Sequence, residues 1–468
     1  MKILMVSAEY APLAKTGGLA DAVAGLAAAL AQRGHDVRTV MPRYGGPLPA
    51  GFEVEPHGHL DGGQYALARP SGGSGPPIYL VESDAIAHDG RIYTLDDRDA
   101  GRFWAFSRAA LAFASRPDWR ADLLHCHDWH AALVPPLARS TPVAATPSVL
   151  TVHNAGYQGR FPRHALPGEA HVSLEALASP TPADADHANF LALGIAHADT
   201  VTTVSPGYAR ELCTAELGMG LDELLRARGG DFVGILNGVD YSLWSPESDP
   251  FISRRFARDD SSGKQQLKAD LSAELGLASD APLVGAVTRL VEQKGIDLLV
   301  GALPILLERT RASFAILGSG EPQLESALTA LADTHRGRLV FRNGYDEPLA
   351  HRIIGGSDLL VVPSRYEPCG LTQLYAMRYG TVPVVRKTGG LADTVSHYDP
   401  ATGDGTGSVF EHADVTGLVW GLTTALGWYD DKRAWRRLVA NALAADFSWE
   451  RQSGEYEALY RELLAARR

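Results

Sequence analysis

Short apolar runs alternate with longer stretches of helical periodicity along most of the chain. Ile3–Val6 is an uninterrupted apolar run and predicts a buried strand. Gly18–Arg33 carries its apolar positions at helical spacing, and Val37–Met41 is apolar again. Strand, helix and strand in that order make a β-α-β unit, with parallel strands covered by the helix. The rhythm returns in the second half. Leu283–Thr288, Phe314–Leu317, Leu339–Phe341, Leu359–Val362 and Val382–Val385 predict strands, and Ile296–Glu308 predicts a helix kinked at Pro304.

The middle breaks this pattern. Pro246–Lys268 is polar, charged and aperiodic, which predicts a linker near residue 250. The expected fold class is therefore α/β, with two doubly wound, Rossmann-like domains. The first spans 1–248, the second 249–446, and a C-terminal helical segment 447–468. Ligands of such sheets bind at the carboxyl ends of the strands, so a cleft between the domains is the expected site. Pro70–Pro77 and Thr402–Gly407 predict surface loops.

Composition narrows the function. With 468 residues, 45% of them hydrophobic and 21% charged, the chain can bury sizeable cores. It carries 43 basic against 55 acidic side chains, a net charge of −12, which argues against a nucleic-acid binder. The apolar run at the N-terminus stops at Ser7-Ala8-Glu9, too short for a signal peptide, and no apolar stretch reaches membrane-span length. Cys126, Cys213 and Cys369 are widely spaced and odd in number, which suits a reducing, cytoplasmic setting.

One heptapeptide, KTGGLAD, occurs twice, at Lys15–Asp21 and at Lys387–Asp393. Each copy follows a predicted strand and opens a helical pattern. Paired glycines there let backbone N–H groups approach an anion, or they make a tight joint without any ligand. A Walker loop, a dinucleotide G-x-G-x-x-G after the first strand and a G-x-S-x-G elbow are all absent. Asp184-Ala-Asp186 has the letters of a metal-binding D-x-D, but three letters in a Pro/Ala loop read better as surface. His125–His130 could hold a metal, yet no second cluster supplies further ligands at a recognisable spacing. A hydrogen-bonded polar cluster at a strand's end is the better reading, with Asp128 placed to hold a hydroxyl-rich ligand.

In the second half, Arg289 and Lys294 lie in TRLVEQKG, between a predicted strand and a helix. Two fixed cations there can neutralise a diphosphate leaving group without a divalent ion, unless they are a solvated surface pair. In PSRYEPCGLTQ a strand ends, a turn follows and a helix starts near Gly370. That puts Glu367 at a strand's carboxyl end. Cys369 has the chemistry of a nucleophile, but a packing or polar-contact role fits better.

Taken together, these segments resemble the family of bacterial glycogen synthases and plant starch synthases. The resemblance rests on KTGGLAD at Lys15–Asp21, HDWHA at His127–Ala131, HNAGYQGRFP at His153–Pro162, NGVDYSLWSP at Asn237–Pro246, TRLVEQKG at Thr288–Gly295, PSRYEPCGLTQLYAMRYG at Pro363–Gly380 and TGGLADT at Thr388–Thr394. It implies the GT-B architecture, with the C-terminal helix crossing back to the first domain. It also implies a retaining transferase moving glucose from ADP-glucose to the non-reducing 4-hydroxyl of an α-1,4-glucan such as glycogen, with no cofactor and no metal.

The resemblance assigns residues as well. Lys15, Gly17 and Gly18 fall at the donor phosphates, His153 against the transferred sugar, and Arg289 and Lys294 at the diphosphate. Glu367 is the acidic residue near the sugar, followed by Cys369, Gly370, Leu371 and Thr372 of the same motif. Asn237 falls in the sugar pocket, Asp128 at the acceptor and Tyr345 against the adenine. Many wider GT-B members have a second glutamate for the ribose at the position that Tyr375 holds here. Two other readings compete: a glucan phosphorylase, which lacks a recognisable pyridoxal phosphate lysine here, and a non-catalytic glucan-binding or regulatory protein on the same fold.

Overall fold

The computed structural model describes residues 1–45, 52–60, 63–70, 75–82, 84–86, 90–168, 186–257 and 259–467. Asp184 of the D-x-D and residues 71–74 of the Pro70–Pro77 loop lie outside them. The chain divides into two compact units, Met1–Gly238 with Trp449–Arg468, and Val239–Ser448.

The first unit is built on a nine-stranded sheet. Its strands are β1 (Lys2–Val6), β2 (Asp36–Pro42), β3 (Phe52–Leu60), β4 (Gly63–Pro70), β5 (Ile78–Glu82), β6 (Leu123–His127), β7 (Ser148–Val152), β8 (Thr200–Thr203) and β9 (Phe232–Gly234). They run in the order β9-β8-β7-β6-β1-β2-β5-β4-β3. From β9 to β5 the pairing is parallel, and β3 and β4 close that edge as an antiparallel hairpin. The hairpin departs from the all-parallel sheet that the β-α-β rhythm predicts. Its FEVEPHGHL segment alternates apolar and polar residues, the two-residue period of a strand.

Helix α1 (Gly18–Gln32) buries Leu19, Val23, Leu26 and Leu30, one face at helical spacing. Helix α5 (Trp449–Ala466) belongs to this unit too. It adds Trp449, Tyr456 and Tyr460 to the core that holds Ile3, Met5, Val23 and Leu26.

The second unit carries six parallel strands, β10 (Leu283–Val287), β11 (Ser313–Gly318), β12 (Leu339–Asn343), β13 (Leu359–Val362), β14 (Val382–Arg386) and β15 (Ser408–Phe410), in the order β12-β11-β10-β13-β14-β15. Its helices include α2 (Ile296–Arg309), α3 (Glu347–Gly356) and α4 (Thr372–Arg378). Pro304 sits inside α2, which runs on to Arg309. Leu299, Leu303 and Leu306 of α2 pack with Phe314, Val382 and Leu418.

The stretch Pro246–Lys268 is not a linker. Ile252 and Phe256 are buried in the second unit's core, and Ser261–Leu275 is a helix. Asp249 is fully buried and accepts hydrogen bonds from His351 Nδ1 at 2.7 Å and from the Tyr379 hydroxyl. A few apolar anchors and one satisfied carboxylate fix a segment whose overall composition is polar. The units accordingly divide at Gly238/Val239 rather than near 250.

In each sheet a strand has parallel neighbours on both sides that are not its direct successors alone. These are β1, between β2 and β6, and β10, between β11 and β13. Such switch points open a crevice at the strands' carboxyl ends.

Candidate functional site

At the switch point of the second unit, two loops meet. Arg289 and Lys294 lie between β10 and α2, and Ser364–Leu371 lie between β13 and α4. The loops are zipped together by Arg365 N donating to Gln293 O at 2.8 Å and by a two-pronged ion pair from Arg365 to Asp297, at 2.6 and 2.7 Å. Gly295 makes the approach possible. Its φ is +66°, and a Cβ there would stand 2.1 Å from the Pro363 carbonyl oxygen.

This close approach brings Lys294 Nζ to 2.6 Å from Glu367 Oε2, which also accepts from Ser364 Oγ at 2.9 Å. Glu367 is 6% exposed. Among the described residues its Oε1 accepts no hydrogen bond, which leaves one carboxylate oxygen available to a ligand hydroxyl. Arg289 is exposed, and among the described residues its guanidinium has no hydrogen bond or ion pair. The two cations of one motif are therefore held differently, one paired and one open.

The rest of the motif is scaffolding around Glu367. Gly370 takes φ +72°, and α4 begins at Thr372, close to the start expected near Gly370. Gln373 Nε2 donates to the carbonyls of Cys369 at 3.0 Å and Gly370 at 2.9 Å. Cys369 is buried. From the second KTGGLAD copy, Gly390 N donates to Glu367 O at 3.0 Å. Tyr375 is buried and stacks on Trp244 at 3.9 Å with an interplanar angle of 3°. Tyr345 follows β12 on the turn at Gly344 and is 72% exposed, so it does not pack beneath its own loop.

The first unit gathers its candidates at carboxyl ends as well. Lys15, Gly17 and Gly18 follow β1, Asp128 follows β6, His153 follows β7, and Asn237 follows β9. Lys15 Nζ lies 3.0 Å from Asp21, the last residue of its own heptad. Asp128 adopts φ +57°, a conformation that Asp tolerates better than most residues. From there its Oδ1 accepts the backbone N–H of His153 at 2.6 Å and of Asn154 at 3.4 Å. Asp128 thus braces the loop that carries His153. His153 Nε2 in turn lies 3.1 Å from His127 Nδ1. Asn237 is 5% exposed, and among the described residues its side-chain amide has no hydrogen-bond partner.

Burial sets the protonation here. It pushes His153 down to about 3, so the ring is neutral at physiological pH. His127 falls well below its usual value through burial and through the neighbouring His125 and His153. Asp128 goes the other way. Burial raises its carboxyl to about 7, opposed by the two amides it accepts and helped by the charge of Glu9.

His125 is bonded to Thr151 Oγ1 at 2.6 Å and to the Tyr460 hydroxyl at 2.7 Å, which makes it part of a polar cluster. Among the described residues no group of three or more His, Cys, Asp or Glu side chains is arranged to hold a metal ion. Two contributors, Glu9 and Ser364, have no role in the sequence reading, whereas His127 falls in the polar cluster read there. Glu9 and Ser364 each lie just past the carboxyl end of a strand, and Ser364 also lies within the PSRYEPCGLTQ segment.

Known proteins resemble this chain over its whole length. The family described as starch synthase catalytic domain matches residues 2–227, and glycosyl transferases group 1 matches residues 268–440. The glycogen synthase of Anaeromyxobacter dehalogenans (strain 2CP-C) is 45% identical over 99% of this chain and all of its own length. That of Paramagnetospirillum magneticum is 41% identical over 99% of this chain and 98% of its own. The solved catalytic domain of starch synthase IV from Arabidopsis thaliana, bound to ADP and acarbose, superposes with a TM-score of 0.90 at 35% identity, covering 99% of each chain. The sucrose-phosphate synthase of Thermosynechococcus elongatus, at 21% identity and a TM-score of 0.64, shares the fold. With two parallel-sheet Rossmann-like units of the GT-B type and full-length relatives at this identity, the chain belongs to the glycogen synthase family of glycosyltransferases.

Proposed function

We propose that this protein transfers glucose, with retention, from ADP-glucose to the non-reducing 4-hydroxyl of an α-1,4-glucan, releasing ADP. The observation that carries the reading is the constellation at the second unit's switch point: a paired Lys294–Glu367, with the open guanidinium of Arg289 on the same loop as Lys294. The relatives named glycogen synthase and the ADP-bound Arabidopsis neighbour support it. In this reading the second unit takes the nucleotide sugar. The first takes the glucan and supplies Lys15 with Gly17 and Gly18, Asp128, His153 and Asn237.

The chemistry follows from charge. As the bond from C1 to the diphosphate breaks, negative charge grows on the leaving oxygens and positive charge on the ring. Arg289 and Lys294 face the first, and a contact of this kind is worth about 3–4 kcal/mol in the transition state. Glu367 Oε1 holds a sugar hydroxyl while Oε2 stays on Lys294. His153, being neutral, offers a hydrogen bond to the sugar without adding a cation next to the developing oxocarbenium. The acceptor oxygen bonds to C1 on the face that the diphosphate leaves, and the departing phosphate takes the acceptor's proton. Asp128 works through the main chain of His153. The second KTGGLAD copy holds the backbone of Glu367, and its Lys387 pairs with Glu411 at 2.8 Å. Among the described residues no helix is long and apolar enough to cross a membrane. Three cysteines without a disulfide suit a reducing, cytoplasmic setting.

The test is incorporation of label from ADP-[14C]glucose into glycogen, before and after exhaustive EDTA treatment. The reading expects full incorporation in both. Absence of incorporation would overturn the assignment, and loss on EDTA treatment that Mg²⁺ restores would overturn the role given to Arg289 and Lys294.

A further inference from the structure

The two copies of KTGGLAD are anchored by different means. In the second, a main-chain carbonyl, Glu367 O, receives Gly390 N. In the first, the anchor is a side chain. Glu9 lies just past β1 and is 3% exposed. Its Oε2 accepts Thr16 N at 2.7 Å and Gly17 N at 3.4 Å, and its Oε1 accepts Thr16 Oγ1 at 2.6 Å and the Tyr93 hydroxyl at 2.5 Å. Among the described residues no lysine, arginine or histidine pairs with it. Four donors from neutral groups therefore hold one buried carboxylate.

We infer that Glu9 is a positioning residue for the donor, acting through Lys15. The inference rests on the function proposed above. Residues 15–18 are all exposed, so hardly any burial of side chains fixes this loop. The bonds to Glu9 define it instead. They turn the Thr16 and Gly17 amides inward, which removes those two N–H groups from any anion-binding nest, so the loop's one cation is the Lys15 ammonium, which rests 3.0 Å from Asp21 until a phosphate competes for it. They also set where Lys15 starts, one residue before the anchored Thr16. The arrangement needs a carboxylate, because a glutamine of the same shape would turn an N–H donor toward one of the groups now donating. A loop loosened by about 1 Å is enough to cost two orders of magnitude in rate.

The experiment compares wild type with Glu9→Gln and Glu9→Asp. It measures kcat and KM for ADP-glucose at saturating glycogen, glycogen affinity by co-sedimentation, Tm, and hydrogen–deuterium exchange of the peptide spanning Lys15–Leu19. For Glu9→Gln the expected result is a loss of roughly 100-fold in kcat/KM for ADP-glucose. Exchange of that peptide should be at least about tenfold faster, as expected for freed amides. Glycogen affinity and Tm should stay near wild type. Glu9→Asp, which keeps the charge, should recover part of the loss. Wild-type kinetics or unchanged exchange in Glu9→Gln would overturn the inference. So would a loss shared evenly with glycogen affinity and Tm, which would make Glu9 merely structural. A wild type inactive with ADP-glucose would overturn the proposed function instead, and the exchange measurement would still decide whether Glu9 anchors the loop.

Discussion

Lys294 Nζ and Glu367 Oε2 stand 2.6 Å apart, with 18% and 8% of their side chains exposed. The cation assigned to the leaving diphosphate and the acid assigned to the sugar are one ion pair. Neither charge is isolated in a poorly solvated place, and each orients the other. Ser364 adds a hydrogen bond to the same oxygen. Arg289, on the same loop, has no such partner among the described residues.

Removing the two cations should therefore have different consequences. Arg289→Ala should lower kcat by about a hundred- to a thousand-fold, since the contact acts on charge that develops in the transition state. Its stability should stay within about 0.5 kcal/mol of wild type, as for an exposed residue outside any network. Lys294→Ala should lose comparable activity and also destabilise the fold by about 1–3 kcal/mol. That is less than the 3–5 kcal/mol typical of a fully buried pair, because water still reaches Lys294. Steady-state kinetics with urea unfolding of both variants checks this. Equal stabilities would mean that the pair does not hold Glu367.

Gly17 gives a second contrast. Its φ of −163° is extended backbone open to any residue, and a Cβ built there meets nothing within 4 Å. The protein itself does not require a glycine at this position. The space suits a ligand that comes close to the main chain. Gly17→Ala should keep the wild-type Tm and raise KM for ADP-glucose by about tenfold or more. A variant that binds donor normally would remove Gly17 from the site.

The candidate residues of each unit are legible where they sit in contiguous words. TRLVEQKG and PSRYEPCGLTQ each start directly after a strand and carry a turn and a candidate side chain, and KTGGL opens α1. What stayed hidden is tertiary. Glu9 looks like the polar stop of an apolar strand, and only the fold brings Thr16, Gly17 and Tyr93 onto it. His127 reads as one of several histidines until the sheet sets it against His153. The polar run after Pro246 looked like a linker because composition averages over residues, whereas Ile252, Phe256 and the buried Asp249 decide where it goes. The hairpin of β3 and β4 could have been read from its period-two alternation.

The buried histidines predict acid lability. His125, His127, His130 and His153 all have values lowered first of all by burial, with His125 and His153 at about 3. The folded form holds them neutral, so the stability they contribute is complete above the unfolded value of about 6.5 and is lost as pH falls toward their folded values. Asp128, raised to about 7, has the opposite sign: its contribution is complete below the unfolded carboxyl value and fades as pH rises through about 7. Between about pH 6.5 and 4.5, these four histidines favour loss of stability and Asp128 opposes it. Each contributes at most about 1.4 kcal/mol per pH unit. Urea midpoints should fall steadily over that range, and a flat profile would contradict neutral burial.

Donor choice is the remaining expectation. Tyr345 stands 72% exposed on the turn after β12, and the next residue fixes its base: Asp346 caps α3 by accepting Leu349 N at 2.9 Å. An exposed phenol ring at the carboxyl end of β12 has a face on which a base can stack, and a purine offers it more area than a pyrimidine. Stacked aromatic pairs add about 0.5–1.5 kcal/mol beyond burial, which is at most about tenfold in kcat/KM. The wild type should therefore favour ADP-glucose over UDP-glucose, and Tyr345→Ala should shrink that ratio by up to about tenfold without changing Tm. A wild type that favours UDP-glucose would refute the donor assignment itself. A wild type that favours ADP-glucose, with an unchanged ratio in Tyr345→Ala, would leave the donor assignment standing and move recognition to hydrogen bonds at the adenine edge.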